Sequence, residues 1–261
     1  MKILRALTAL LLLAASTAHA QSPQTVDVPS RPGVTQRILV ITPEKPRAAV
    51  ILFAGGDGGL TLTTDGRIPK LAGNFLVRSR QLFVEQGLLT VIIDAPSDKQ
   101  SYPYLSGSRQ TVEHVADVKA VIAWLRQQAK IPVWLIGTSR GTQSAGYIAT
   151  QLPSAEGGPD GIALTSTVVN DPRSRAVPDM ALDRIHIPVL VAHHREDSCR
   201  VCRFSDVPRL MERLTTPLRK ELMVFDGGIS EGDPCEARAH HGYNGIERDV
   251  VSRIATWITA P

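Results

Sequence analysis

Residues 131–146 run Ile131-Pro132-Val133-Trp134-Leu135-Ile136-Gly137-Thr138-Ser139-Arg140-Gly141-Thr142-Gln143-Ser144-Ala145-Gly146. A continuous apolar segment, 133–136, leads into Gly137-Thr138-Ser139-Arg140-Gly141, and small residues suited to a helix follow. This is the Gly-x-Ser-x-Gly pattern in a strand, turn, helix setting. A turn this tight leaves no room for a side chain two residues before or after the serine. Gly137 and Gly141 relieve the crowding, and the oxygen of Ser139 is pushed outward. Ser139 is therefore a candidate nucleophile, and the rest of the chain can be read for the partners a serine nucleophile needs.

Outward from this segment, strand-like runs fall at 36–41, 48–53, 88–93, 133–136, 161–169, 189–193 and 221–225. Most are continuously apolar, as central strands covered on both faces should be. Helical patterns lie between them at 75–86, 109–129, 141–151, 206–214 and 245–258. The longest is expected to present Val112, Val115, Val118, Ile122 and Leu125 on one face. Strand and helix alternate, which predicts an α/β fold: a doubly wound, mostly parallel sheet with helices on both faces. Ligands of such sheets bind at the carboxyl ends of the strands, so the chemistry is expected in loops 54–60, 94–104, 137–141, 170–172, 194–203 and 226–244.

The first residues stand apart from this pattern. Lys2 and Arg5 precede an apolar stretch at 7–15, and Ala18-His19-Ala20 makes a small-x-small cleavage site before Gln21. This reads as a signal peptide over 1–20, followed by one domain over 21–261, exported to the periplasm or medium. No later segment offers about 18 uninterrupted apolar residues, so the mature chain is expected to have no membrane span. Without Lys2 and Arg5, the 29 basic residues fall to 27 against 25 acidic ones, a formal charge of +2, and the basic residues are scattered. That distribution gives no support to nucleic-acid binding.

A serine hydroxyl needs a base to take its proton, and the base needs a carboxylate to orient it and to stabilise its charged form. Both occur downstream at strand ends. The run 187–192 leads into His193-His194-Arg195-Glu196-Asp197, and Ala239-His240-His241-Gly242-Tyr243 precedes the terminal helix.

The elbow 137–141, Asp197 and the segment 241–247 together resemble the α/β-hydrolase superfamily, in particular its small exported bacterial members, over about residues 36–258. The resemblance implies that Asp197 is the acid in preference to Glu196, with Asp226 as the reserve. It also implies that His241 is the base in preference to His240, because Gly242 leaves space near the elbow. His240 is expected to stack or cap nearby. His193 and His194 are expected to be structural at a strand end, with lining the pocket as the alternative for either, and His114 to be surface or satisfied core. Ala54-Gly55-Gly56-Asp57-Gly58-Gly59 stands where the superfamily's oxyanion loop lies. The implied oxyanion donors are the backbone N–H of Gly56 or Asp57 and that of Arg140. A phosphate loop is the rival reading of 55–59, but the Gly-Lys-Ser/Thr ending and the Gly-x-Gly-x-x-Gly spacing are both missing.

The Arg140 side chain is expected to form a salt bridge on the first helical turn, rather than to hold a substrate carboxylate or brace the Asp57 loop. Residues 94–98 suggest a turn that walls the pocket. Of the three cysteines, Cys199 and Cys235 flank Asp197 and His241, so a bond between them would staple the two loops. It is preferred over the 199–202 and 202–235 pairings, over a Cys199-x-x-Cys202 redox pair and over zinc held by the cysteines with His240.

The reading predicts an exported serine hydrolase that cleaves ester-type carbonyl substrates, small molecules or polymer ends, through an acyl-enzyme on Ser139. No cofactor or metal is required. Only about 18 residues separate 169 from 188, so no large lid domain is inserted there. A peptidase or amidase of the same fold, or a silent binding protein on this scaffold, are the alternatives.

Overall fold

The computed structural model describes residues 22–260. The expected signal peptide lies outside the described residues. Eight strands form one sheet: β1 (Gln24–Arg31), β2 (Val34–Ile41), β3 (Ala48–Phe53), β4 (Leu88–Pro96), β5 (Val133–Thr138), β6 (Gly161–Thr165), β7 (Val189–His194) and β8 (Lys220–Phe225). Their order is β1-β2-β4-β3-β5-β6-β7-β8. The pairings β1–β2 and β2–β4 are antiparallel, and every other neighbour is parallel. The parallel part is the expected doubly wound sheet.

Because helices cover both faces, successive strand residues feed two different cores. Ala49, Ile51 and Phe53 of β3 join one cluster with α3 (Val112–Gln128), α4 (Gly141–Gln151) and α5 (Val207–Arg213). Val50 and Leu52 join the other, with α1 (Phe75–Arg78), α2 (Arg80–Glu85) and α6 (Glu247–Thr259). Continuous apolar runs are therefore what these strands need, since neither face meets water.

Four expectations need correction. Strand β1 has no counterpart in the predicted set. Its half-exposed pattern Gln24-Thr25-Val26-Asp27-Val28-Pro29-Ser30-Arg31 lacks an apolar run, and an edge position tolerates Pro29. The helix expected at 75–86 divides at Ser79, which adopts φ −91°, ψ 1° between α1 and α2. Strand β6 stops at Thr165, because Ser166 turns left-handed at φ 43°. The next amides leave the ladder: Thr167 N–H donates to His193 Nε2 (2.6 Å) and Val168 N–H to Thr142 Oγ1 (3.2 Å). On α3, Val112 is exposed and Val121 takes its place among the buried residues Val118, Ile122 and Leu125.

Candidate active site

Ser139 stands between the end of β5 and the start of α4, with φ 51°, a left-handed conformation rare for a residue with a side chain. The two glycines make this possible in a specific way. A Cβ on Gly137 would lie 2.4 Å from the carbonyl oxygen of Gly141, and one on Gly141 would lie 2.1 Å from that of Phe53. Gly137 is thus required by the elbow folding on itself, and Gly141 by α4 pressing on β3. The strained turn is tied down by hydrogen bonds. Ser139 N–H donates to Thr165 O (3.1 Å), while Ser139 O accepts from Thr142 N–H (2.9 Å) and from Thr142 Oγ1 (2.6 Å).

Asp197 sits in the turn after β7, and its side chain is fully buried. One carboxylate oxygen accepts from Cys199 N–H (3.0 Å), and the other lies 2.9 Å from Nδ1 of His241. A carboxylate can only accept, so Nδ1 is the donor in that contact and Nε2 is the ring nitrogen not engaged by Asp197. The histidine loop is fixed by several separate ties. Ser166 Oγ donates to His241 O (2.7 Å), and the fully buried Tyr243 hydroxyl donates to Ala192 O (2.7 Å) while accepting from Ser166 N–H (3.1 Å). Burial pushes the Tyr243 hydroxyl well above the usual tyrosine range, so it stays a neutral donor. The Cys199–Cys235 disulfide joins the acid turn to the loop before His241.

Ser139 and His241 line one cleft of about 260 Å³, together with Gly55, Gly56, Asn74 and Cys235. A Cβ on Gly55 would come within 3.0 Å of the Ser139 Cβ, and Gly56 adopts φ 57°. The glycine loop is therefore laid directly against the elbow. Asp57 does not line this cleft: its carboxylate caps Gly59 N–H (3.0 Å) and faces Lys70 (3.3 Å).

The remaining sequence candidates fall elsewhere. Asp226 is largely exposed and paired with Arg195 (2.7 Å), so it is not held as a second acid. Glu196 faces His240 at 3.6 Å, and His240 stacks on His194 with ring centres 4.2 Å apart. Gly242 makes its space inside the histidine loop and not at the elbow, since a Cβ there would strike Ala237 O at 2.0 Å. Arg140 bridges to Asp171 (2.7 Å), which also accepts from Ser174 Oγ (2.6 Å), and does not reach Asp57. The zinc and Cys199-x-x-Cys202 readings lose their ligands and their pair, because Cys199 and Cys235 are bonded to each other. Cys202 is a free buried thiol whose titration burial pushes well above the usual cysteine range.

Two buried polar residues, Asp94 and Arg109, position the glycine loop, a role the sequence reading did not give them. Asp94 accepts from Leu60 N–H (2.7 Å) and Leu62 N–H (2.8 Å). Arg109 is buried and donates to Ala54 O (3.0 Å), Gly56 O (3.2 Å) and Ser144 Oγ (3.0 Å). His114 is buried with both ring nitrogens unpartnered, contrary to its expected place at the surface or in a satisfied core. Burial, reinforced by the Arg109 charge, lowers its pKa to about 3.

No protein-family model and no curated protein sequence matches the chain. Solved structures do. The chain is similar to the Pyrococcus furiosus esterase Pf2001 at 15% identity, covering 91% of each chain with a TM-score of 0.64. It is similar to an α/β serine hydrolase homologue from Coxiella burnetii at 18% identity, covering 92% of this chain and 99% of that one with a TM-score of 0.59. A Xanthomonas campestris protein described as an α/β serine hydrolase without lid matches at 17% identity, over 89% of this chain and 94% of that one, with a TM-score of 0.53. The sheet order, the elbow and these likenesses agree: the chain has the α/β-hydrolase fold.

Proposed function

We propose that the chain is an exported serine hydrolase that cleaves ester-type carbonyl substrates through an acyl-enzyme. The observation that carries this reading is the buried Asp197–His241 contact, with His241 and the left-handed Ser139 lining one cleft. In this reading Ser139 Oγ attacks the carbonyl carbon as His241 Nε2 takes its proton. Asp197 holds the imidazole tautomer and stabilises the imidazolium. The tetrahedral oxyanion is met by backbone N–H groups of the glycine loop and of Arg140. Gly56 is favoured over Asp57 as the loop donor, because it lines the cleft and Asp57 does not. Collapse of the intermediate expels the alcohol with the proton from His241, and water repeats the cycle to release the acid.

An open site favours small esters or exposed polymer ends. Between β6 and β7 the chain forms only two short turns of helix, Val177–Asp179 and Leu182–Arg184, and no inserted lid domain. Export is supported by the amino-terminal pattern and by the disulfide, which suits an oxidising compartment. No helix among the described residues is long and apolar enough to cross a membrane.

Steady-state rates on short-chain aryl esters and on aminoacyl arylamides test the reaction class. Turnover of the esters in preference to the amides is expected. Faster cleavage of the amides would assign a peptidase instead.

A further inference from the structure

A second cleft, of about 560 Å³, opens beside the elbow and is lined by Arg109, Arg140, Arg173 and Arg175, with no aspartate or glutamate in its wall. It adjoins the Ser139 cleft through two shared elements. Arg109 donates to Gly56 O, on the glycine loop, and Arg140 directly follows Ser139 in the chain. Of the four guanidinium groups, Arg140 is matched by Asp171 at 2.7 Å. Arg109 is the informative one. It is 95% buried, no carboxylate lies within salt-bridge distance among the described residues, and its Nε has no hydrogen-bond partner. Burial and the nearby Arg140 charge lower its pKa to about 10 against the weaker opposing pull of Asp57, so it is still a cation at neutral pH. A buried guanidinium that carbonyls and a hydroxyl solvate, with no carboxylate in direct contact, gains when a counter-charge reaches it.

The segment carrying the other two arginines is held against the turn that precedes α3 and against α4. Gln110 Nε2 (2.8 Å) and Gln143 Nε2 (2.9 Å) both donate to Arg175 O, and Gln143 Nε2 also donates to Ser174 Oγ (2.7 Å). Arg173 and Arg175 themselves remain exposed, with their forks unspent. A planar guanidinium matches a carboxylate through two parallel hydrogen bonds.

We propose that the arginine cleft is a carboxylate-binding site which, resting on the hydrolase reading, receives the acidic end of the substrate and selects acidic esters over neutral ones. The anion would compensate Arg109 from the cleft side while Arg173 and Arg175 supply the direct hydrogen bonds.

Calorimetric titration of adipate into the full chain at low ionic strength tests the site. Saturable binding is expected, weakened about tenfold in the Arg173→Gln, Arg175→Gln double variant and weakened in the native chain by added salt. Because both arginines are exposed, the variant should keep its fold, which near-ultraviolet circular dichroism checks. Equal adipate binding by the two proteins would overturn the site. The second arm compares kcat/KM for para-nitrophenyl monoesters of succinate, adipate and suberate with that for their methyl-capped neutral counterparts. The acid-to-neutral ratio should exceed one in the native chain and fall about tenfold in the variant. A ratio that does not change would overturn the substrate-selecting role. Arginine-dependent adipate binding with no turnover of any ester would instead defeat the hydrolase reading and leave the carboxylate site standing.

Discussion

Ser139 and His241 meet at one cleft, but the chain secures them by different means. The elbow is shaped mainly by its immediate neighbours, with Gly137 against Gly141 and Thr142 on the Ser139 carbonyl. The histidine loop is secured across long stretches of chain: 36 positions for the disulfide, 44 for Asp197 and 75 for Ser166. A tight turn between a strand and a helix stores its geometry in local sterics, whereas a loop of irregular backbone needs covalent and hydrogen-bonded anchors drawn from elsewhere. Damage to the anchors should therefore move the base and spare the nucleophile.

The largest effect is expected from Asp197→Asn. It removes the charge that orients His241 without removing volume, and kcat on an aryl ester should fall by about 10⁴-fold. A loss under about tenfold would show that His241 is oriented by something other than Asp197.

Next in size is loss of the staple. In the chain-entropy description, a bond across 36 residues is worth about 4 kcal/mol. The Cys199→Ser, Cys235→Ser double variant should lose stability of that order in urea unfolding. An unfolding free energy within about 1 kcal/mol of the native chain would mean that Tyr243 and Ser166 hold the loop unaided.

The smallest expected effect belongs to two buried histidines and grows in acid. His193 and His114 have pKa values lowered by burial to about 4 and about 3, below the ordinary 6.5 of histidine. The unfolded chain therefore binds these protons first. The stability these groups contribute is complete above pH about 6.5 and drains away as pH falls toward those lowered values. Both ring nitrogens of His114 lack partners, so His114→Leu should raise the melting temperature more at pH about 5 than at pH about 7.5. An equal shift at both pH values would place the effect in packing alone.

Legibility in the sequence followed the same division between local and distant causes. The buried parallel strands and α4 could be read because continuous apolar runs and a glycine-flanked serine are local signals. Ser139, Asp197 and His241 could be read as candidates because each closes a strand or precedes a helix in a fixed order. Strand β1 escaped because pairing with β2, not burial, makes it a strand. The anchoring roles of Arg109, Asp94 and Tyr243 escaped because their partners lie tens of residues away, and no spacing rule connects an arginine at 109 with carbonyls at 54–56. Gly242 shows where local reading misplaces a cause: the backbone it accommodates is Ala237 in its own loop, not the elbow.

The central claim is that Ser139 is a nucleophile activated by His241, and fluorophosphonate labelling tests it most directly. Intact-mass spectrometry of the labelled protein should show one stoichiometric adduct on the native chain, none on Ser139→Ala, and labelling slowed by orders of magnitude in His241→Ala. Absence of any adduct on the native chain, or an adduct that persists in Ser139→Ala, would contradict the account.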